Sequence, residues 1–282
     1  MKPCLVAFHA HPDDEAIFTG GTIIRAKRAG WRVVVVVATS GERGNKPEWV
    51  TGDLAAHRRS ETEVAARLLG ADKVVFLGYG DSGIVPGASP PCRSDSVVPA
   101  PALARASVLE AAARLRRVLF EERATVLTSY DETGIYGHED HIRVHAIAAA
   151  AVLDTTCDLV EATIDRARLR SLREDLVDRG LDPAVWPARL VEEVGTGDGR
   201  SLLTLDLHGG FDLDRKLEAV AAHVSQVVEA QDFMGLPPGA FHRLMSYESF
   251  RPARLLDGRF CELVSSGSSS QRTPVTAGAA SI

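Results

Sequence analysis

The stretch PCLVAFHAHPDDEAIFTGGTIIRAKRAGWRVVVVVA, residues 3–38, decides the fold class. Residues 3–8 form an apolar run of strand length, and residues 31–38 hold five consecutive valines. A run apolar at every position, rather than at alternate ones, belongs to a strand covered on both faces. Between them, residues 15–29 place Ile17, Ile23, Ile24 and Ala29 at helical spacing, and Gly30 follows as a stop signal. A strand, a helix and a second buried strand joined by short turns predict a parallel pair with the helix packed on the sheet.

The pattern continues outward. Residues 55–69 read as a helix ending at Gly70, and residues 73–77 as a strand. The order β-α-β-α-β predicts an α/β fold with a mainly parallel, Rossmann-like sheet and helices on both faces. Residues 79–101 are rich in Gly, Pro and Ser and aperiodic, which predicts a long loop insertion of the functional or disordered kind. A helix over 102–122 and a strand over 124–129 follow. YDETGIYGHEDHIRVH, residues 130–145, then runs into an alanine-rich helix ending near residue 153. Strands over 159–164 and 202–207 and a helix over 213–229 make a C-terminal α+β portion. Residues 1–263 are read as one domain, and the polar residues 264–282 as a disordered tail.

Composition excludes several function classes. The chain has 282 residues, 45% hydrophobic and 25% charged, enough for a sizeable core. A net charge of -6 argues against nucleic acid and against anionic membranes, both of which need a basic face. There is no apolar run of transmembrane length and no secretory-type start. The four cysteines are scattered, with no CxxC pair, so a reducing cytoplasm is expected rather than a disulfide framework. Oligomeric state is not readable.

Two polar clusters each follow a predicted parallel strand and open a helix, at the sheet edge where α/β folds bind ligands. The first is His9, His11, Asp13 and Asp14; the second is His138, Glu139, Asp140, His141 and His145. Imidazoles with carboxylates are the ligand set of a borderline divalent ion. His11 and Asp14, three residues apart on a first helical turn, can reach one point. A histidine of the second cluster would complete three ligands and leave a fourth position open, the mark of a catalytic site. Asp13 beside them could take a proton from water. If 137–145 were all helical, His138, His141 and His145 would share a face, and spacing does not choose among them.

AHPDDE, TGGTI and YGHEDH in this order resemble the LmbE-like, or PIG-L, family of zinc-dependent N-deacetylases. The resemblance covers residues 3–260 and extends to HRRSETEVAARLLG, GYGDSGI and KLEAVAAHVSQ, the last two being similar to the mycothiol branch. It implies zinc, with Fe2+ as the other candidate, held by His11, Asp14 and His141. Asp13 is then the general base, and His138 the oxyanion stabiliser or general acid. Asp140 orients the histidine pair, and Tyr136 helps polarise the amide carbonyl. Arg58 and Asp81 recognise the sugar or inositol. The implied reaction is removal of an N-acetyl group from a GlcNAc-inositol-like glycoside or an antibiotic pseudosaccharide by metal-activated water. The alternatives are an amidase for a larger acyl group, such as a mycothiol-type S-conjugate, and a non-catalytic metal-binding module.

Plainer roles exist for the same residues. Asp13 or Asp14 can cap a helix. His9 and His145 are expected to support the site rather than ligate, and His223 to pack on an amphipathic helix. His57, His208 and His242 are expected on the surface. Arg58 and Glu61 are spaced for an i, i+3 ion pair. The double glycine Gly20–Gly21 is expected to serve close packing, since no Gly-rich phosphate turn follows the first strand.

Overall fold

The computed structural model describes residues 2–83, 101–180, 182, 188–196, 202–208, 210–226, 238–255 and 258–265. Most of the expected 79–101 loop and nearly all of the expected 264–282 tail lie outside the described residues.

Seven strands form one sheet: β1 (Cys4–His9), β2 (Arg32–Thr39), β3 (Lys73–Tyr79), β4 (Val126–Tyr130), β5 (Asp158–Thr163), β6 (Leu203–Asp206) and β7 (Tyr247–Arg254), in the order β3-β2-β1-β4-β5-β7-β6. The first five pair in parallel. Only β7 runs against the rest, antiparallel to both β5 and β6. The expected mainly parallel sheet is therefore present. The valine run explains itself in this frame. Val33, Val35 and Val37 pack with Ile23 of α1 (Asp14–Arg28) and Leu69 of α2 (Leu54–Leu69). Val34 and Val36 face the other way, toward Leu115 of α3 (Val108–Glu122) and Ile147 of α5 (Glu139–Ala151). Each face thus carries its own core, and each fully buried valine contributes about 1.5–3 kcal/mol.

Three expectations change. The helix expected over 102–122 is a 3-10 turn at Leu103–Arg105 followed by α3, because the Ser107 hydroxyl accepts the Glu110 N–H and starts a new helix there. The helix expected over 213–229 is α8 (Phe211–Ala221), so His223 sits in a turn beyond it. Third, β7 was not anticipated: Glu248, Arg251, Pro252 and Arg254 hide its strand signal.

Between these elements lie α4 (Gly134–Gly137), α6 (Arg166–Asp178), α7 (Ala188–Glu193), α9 (Pro238–Met245) and α10 (Arg259–Ser265). Among the described residues no helix is long and apolar enough to cross a membrane.

The double glycine does serve close packing. A Cβ on Gly21 would lie 2.4 Å from Leu207 Cδ1. Its absence lets the Glu248 carboxylate reach α1, accepting the N–H of Gly21 (2.6 Å) and both the N–H (2.8 Å) and hydroxyl (2.6 Å) of Thr22. The ammonium of Lys216, fully buried on α8, neutralises Glu248 at 2.9 Å. Lys216→Met is expected to cost about 3–5 kcal/mol, because it strands a buried carboxylate. Denaturant unfolding checks this, and unchanged stability would show that Glu248 does not depend on Lys216.

Candidate active site

The chain's two polar clusters are 127 residues apart at His11 and His138, yet they meet. Strand β1 lies directly beside β4, with Leu5, Val6 and Ala7 in register with Val126, Leu127 and Thr128. This is where the strand order reverses, the position at which open α/β sheets bind ligands. Loops following β1 to β5 build a cavity of about 220 Å³ lined by His11, Asp13, Asp14, Arg58, Asp81, Tyr136 and His138, among others.

On the β1 side, the Asp14 carboxylate accepts the His11 N–H at 2.8 Å, which folds the turn back on itself. The same Oδ2 lies 3.6 Å from His11 Nδ1 and 3.4 Å from His141 Nε2. On the β4 side, His138 is not helical (φ -64°, ψ 127°); it is the N-cap of α5, and its Nδ1 accepts the Asp140 N–H at 3.1 Å. The three histidines therefore do not share a helix face. His141 points into the site, stacked on Tyr130 with ring centroids 4.2 Å apart. His145, one turn on, bonds instead to Glu161 and the Tyr130 carbonyl. Gly134, at φ 64°, makes this approach possible: a Cβ there would come within 2.7 Å of the His141 Cβ.

His11, Asp14 and His141 are buried, and their ligand atoms lie within 4.8 Å of one another. A second such group is His11, His138 and Asp140. The first fits a tetrahedral ion better. Bonds of about 2.0–2.2 Å place neighbouring corners about 3.3–3.6 Å apart, against the 3.4 and 3.6 Å found around Asp14 Oδ2. In the second group Asp140 is already engaged, accepting the Ser82 N–H (2.9 Å) and hydroxyl (2.5 Å).

The outer nitrogen of His11, Nε2, lies 3.1 Å from Asp140 and 3.5 Å from Asp81, the arrangement that orients a metal-ligating imidazole. Burial opposes charge on His11, but Asp81, Asp14 and Asp140 outweigh it and hold the ring well above its usual pKa. Burial likewise opposes charge on Asp14, yet His141 and His11 hold its carboxyl well below the usual range. The pocket thus favours positive charge at its centre.

Asp13 occupies the N-cap position of α1 but makes no capping bond. It has φ 103°, a left-handed conformation that costs a non-glycine residue about 1–3 kcal/mol. Its Oδ2 accepts from Arg58 at 3.0 Å. Burial pushes the Asp13 carboxyl up to about 6, with Arg58 pulling against it. Arg58 is itself buried and also donates to the carbonyls of Gly41 (2.7 Å) and Pro12 (2.6 Å). No Arg58–Glu61 pair forms; Glu61 accepts from Ser225 instead. Asp81 accepts the N–H of Gly83 (2.8 Å) and Arg43 (3.2 Å) while lining the cavity. Tyr136 brings its hydroxyl 3.3 Å from His141 Nε2. His9 supports from behind, between the Tyr130 hydroxyl (3.2 Å) and Thr19 (2.9 Å).

Sequence reasoning missed Ser82, the Glu15–His223 contact and the apolar wall of Phe18, Phe241, Leu244 and Met245. The motifs DSG and HVSQ were the available signals for the first two; nothing local marks the wall.

Residues 6–152 match the family model described as PIG-L: GlcNAc-PI de-N-acetylase. Over 267 residues the chain is 32% identical to a 1D-myo-inositol 2-acetamido-2-deoxy-alpha-D-glucopyranoside deacetylase of Thermobifida fusca, covering 87% of this chain and 91% of that protein. Among solved structures, the zinc-inhibited form of a teicoplanin deacetylase superposes with a TM-score of 0.60 at 19% identity, covering 90% of this chain and 99% of that one. The N,N'-diacetylchitobiose deacetylase from Pyrococcus horikoshii does so at 0.55 and 23% identity, covering 88% and 82%. At these identities the two structures speak for the fold alone.

Proposed function

Because this chain belongs to the PIG-L family of GlcNAc-PI de-N-acetylases, we propose that it hydrolyses the N-acetyl amide of a small amino-sugar glycoside in the cavity between β1 and β4. It is a hydrolase of a linear amide C–N bond. The observation that carries the site assignment is the spacing of His11 Nδ1 and His141 Nε2 about Asp14 Oδ2, with Asp13 adjoining. These three residues would hold zinc, with Fe2+ as the other candidate. When bound, the ion supplies Lewis-acid polarisation of the amide and a lower pKa for water.

The side chains do the rest. Asp13, oriented by Arg58, accepts the proton of the attacking water and returns it to the leaving amine. His138 receives the Asp140 N–H on Nδ1, so its own proton sits on Nε2, free to donate to the developing oxyanion. Burial, with His11 and His141 nearby, lowers the His138 pKa to about 3, which keeps it a neutral donor near pH 7. Burial and the carboxylates around it, Asp14 foremost, raise the Tyr136 phenol well above its usual value and preserve a second donor. One such donor contributes about 3 kcal/mol to the transition state. Asp140 fixes His11 and His138, and the polyol lies against Arg43, Arg58, Asp81 and Gln226. The buried free thiols Cys4 and Cys157 suit a reducing cytoplasm.

A second reading keeps the site and lengthens the acyl group. The cavity lining also holds apolar side chains, with Ile17, Phe18, Ile164, Phe241, Leu244 and Met245 among them. Five of these (all but Phe241) also line an adjoining cavity of about 490 Å³. The test of both readings is amine release from N-acylated glucosaminyl glycosides of increasing acyl length, with a chelator and then zinc add-back. Chelator-sensitive release restored by zinc is expected, fastest for acetyl on the first reading and for longer chains on the second. No release from any substrate by zinc-loaded protein would overturn both.

The pH profile tests the base. Asp13 must be ionised to accept a proton, so kcat/KM is expected to rise with pH, with its midpoint at about pH 6, and to level off above that. Arg58→Gln, which removes the group holding that pKa down, is expected to move the acid limb upward. A profile flat from pH 4 to 8 would exclude Asp13.

A further inference from the structure

Of the HVSQ segment, residues 223–226, only Gln226 lines the cavity; His223 takes no part in the chemistry above, yet it is bonded to the catalytic face. His223 Nε2 lies 2.7 Å from Glu15 Oε1, and both side chains are at most 1% exposed. The other oxygen, Glu15 Oε2, accepts the N–H of Asp13 at 3.1 Å. Neighbouring residues hold the turn in place. Ser225 donates its N–H (2.8 Å) and hydroxyl (2.7 Å) to Glu61 of α2, and Gln226 donates to the Asn45 carbonyl at 2.8 Å. Neither Glu15 nor His223 lines the cavity.

The Asp13 peptide is where help is needed. Its φ of 103° is one that an L-residue leaves unless its surroundings hold it. Arg58 holds the carboxylate and the preceding carbonyl. The Asp13 carbonyl is taken by the N–H groups of Ala16 and Ile17 at 3.0 and 3.1 Å. The amide N–H is left to Glu15, and a buried glutamate keeps one rotamer only while its second oxygen is satisfied.

We propose that Glu15 and His223 are a positioning pair: His223 fixes the Glu15 carboxylate, and Glu15 holds the Asp13 amide so that the base faces the substrate. Neither touches the reacting atoms. The proposal rests on the reading of Asp13 as the base.

The experiment is a double-mutant cycle on the zinc-loaded enzyme, assayed by amine release from an N-acetylglucosaminyl glycoside. Glu15→Ala is expected to lower kcat about a hundredfold, as a small misplacement of a catalytic group does. KM is expected within threefold of wild type and zinc content unchanged. In an Asp13→Ala background the same change is expected to cost less than threefold, since there is no base left to position. Glu15→Gln and His223→Gln preserve an acceptor for the amide and a donor to residue 15, so they are expected to stay within about threefold of wild type. Should Glu15→Ala not fold, His223→Leu against His223→Gln carries the same comparison. An undiminished loss in the Asp13→Ala background, or an equal loss in the Gln variants, would overturn the positioning role. Full activity in Asp13→Ala alone would instead overturn the reading of the base.

Discussion

Asp13→Asn is expected to retain its metal and lose about 10²–10⁴-fold in kcat, the usual contribution of a general base. The loss follows from removing the acceptor, since Asp13 is not among the three converging donors. Asparagine is the sharper substitution. It tolerates the left-handed region that Asp13 occupies at φ 103°, and its oxygen still accepts from Arg58. Asp13→Ala is expected to match it in turnover, with some added loss of stability because alanine resists positive φ. Metal analysis beside steady-state kinetics checks both. Normal turnover in a metal-loaded Asp13→Asn would assign the base elsewhere.

His141→Ala is expected to lose bound zinc and activity together. Two protein ligands would remain of three, and structural logic requires three for an open catalytic site. Metal affinity is expected to fall by more than about 100-fold, whereas Asp140→Ala, which removes the carboxylate bonded to His11 and Ser82 but keeps the backbone N–H bonded to His138, is expected to fall within about 10–100-fold. Zinc content after gel filtration separates the two variants. Circular dichroism shows whether His141→Ala keeps its fold after losing the stack on Tyr130. Stoichiometric zinc in folded His141→Ala would transfer the ligand role to His138, the histidine of the other convergent group.

Much of this was legible in the chain alone, for a physical reason. Burial on both faces of a strand demands apolar residues at every position, so Val33 to Val37 announced a central parallel strand. Helical burial repeats every three to four residues, so α1 and α2 were visible to within a residue or two at each end. The two histidine–carboxylate clusters stood out because nothing in a core or a cap requires that many ligands together. What stayed hidden was set by partners distant in sequence. Glu248 and Arg251 disguised β7, since the groups that neutralise them come from α8, β5 and the loop after β4. His223 left its helix because Glu15, Glu61 and Asn45 together hold the 223–226 turn. Three histidines, 138, 141 and 145, were equivalent by spacing; the N-cap conformation of His138 separated them.

Local periodicity and ligand chemistry therefore specified the α/β class and the kind of site, because each records what surrounds a residue within a few positions. Strand order specified the site itself. His11 and His141 converge only because β1 lies beside β4, and pairing between strands 117 or more residues apart leaves no periodic trace in the sequence.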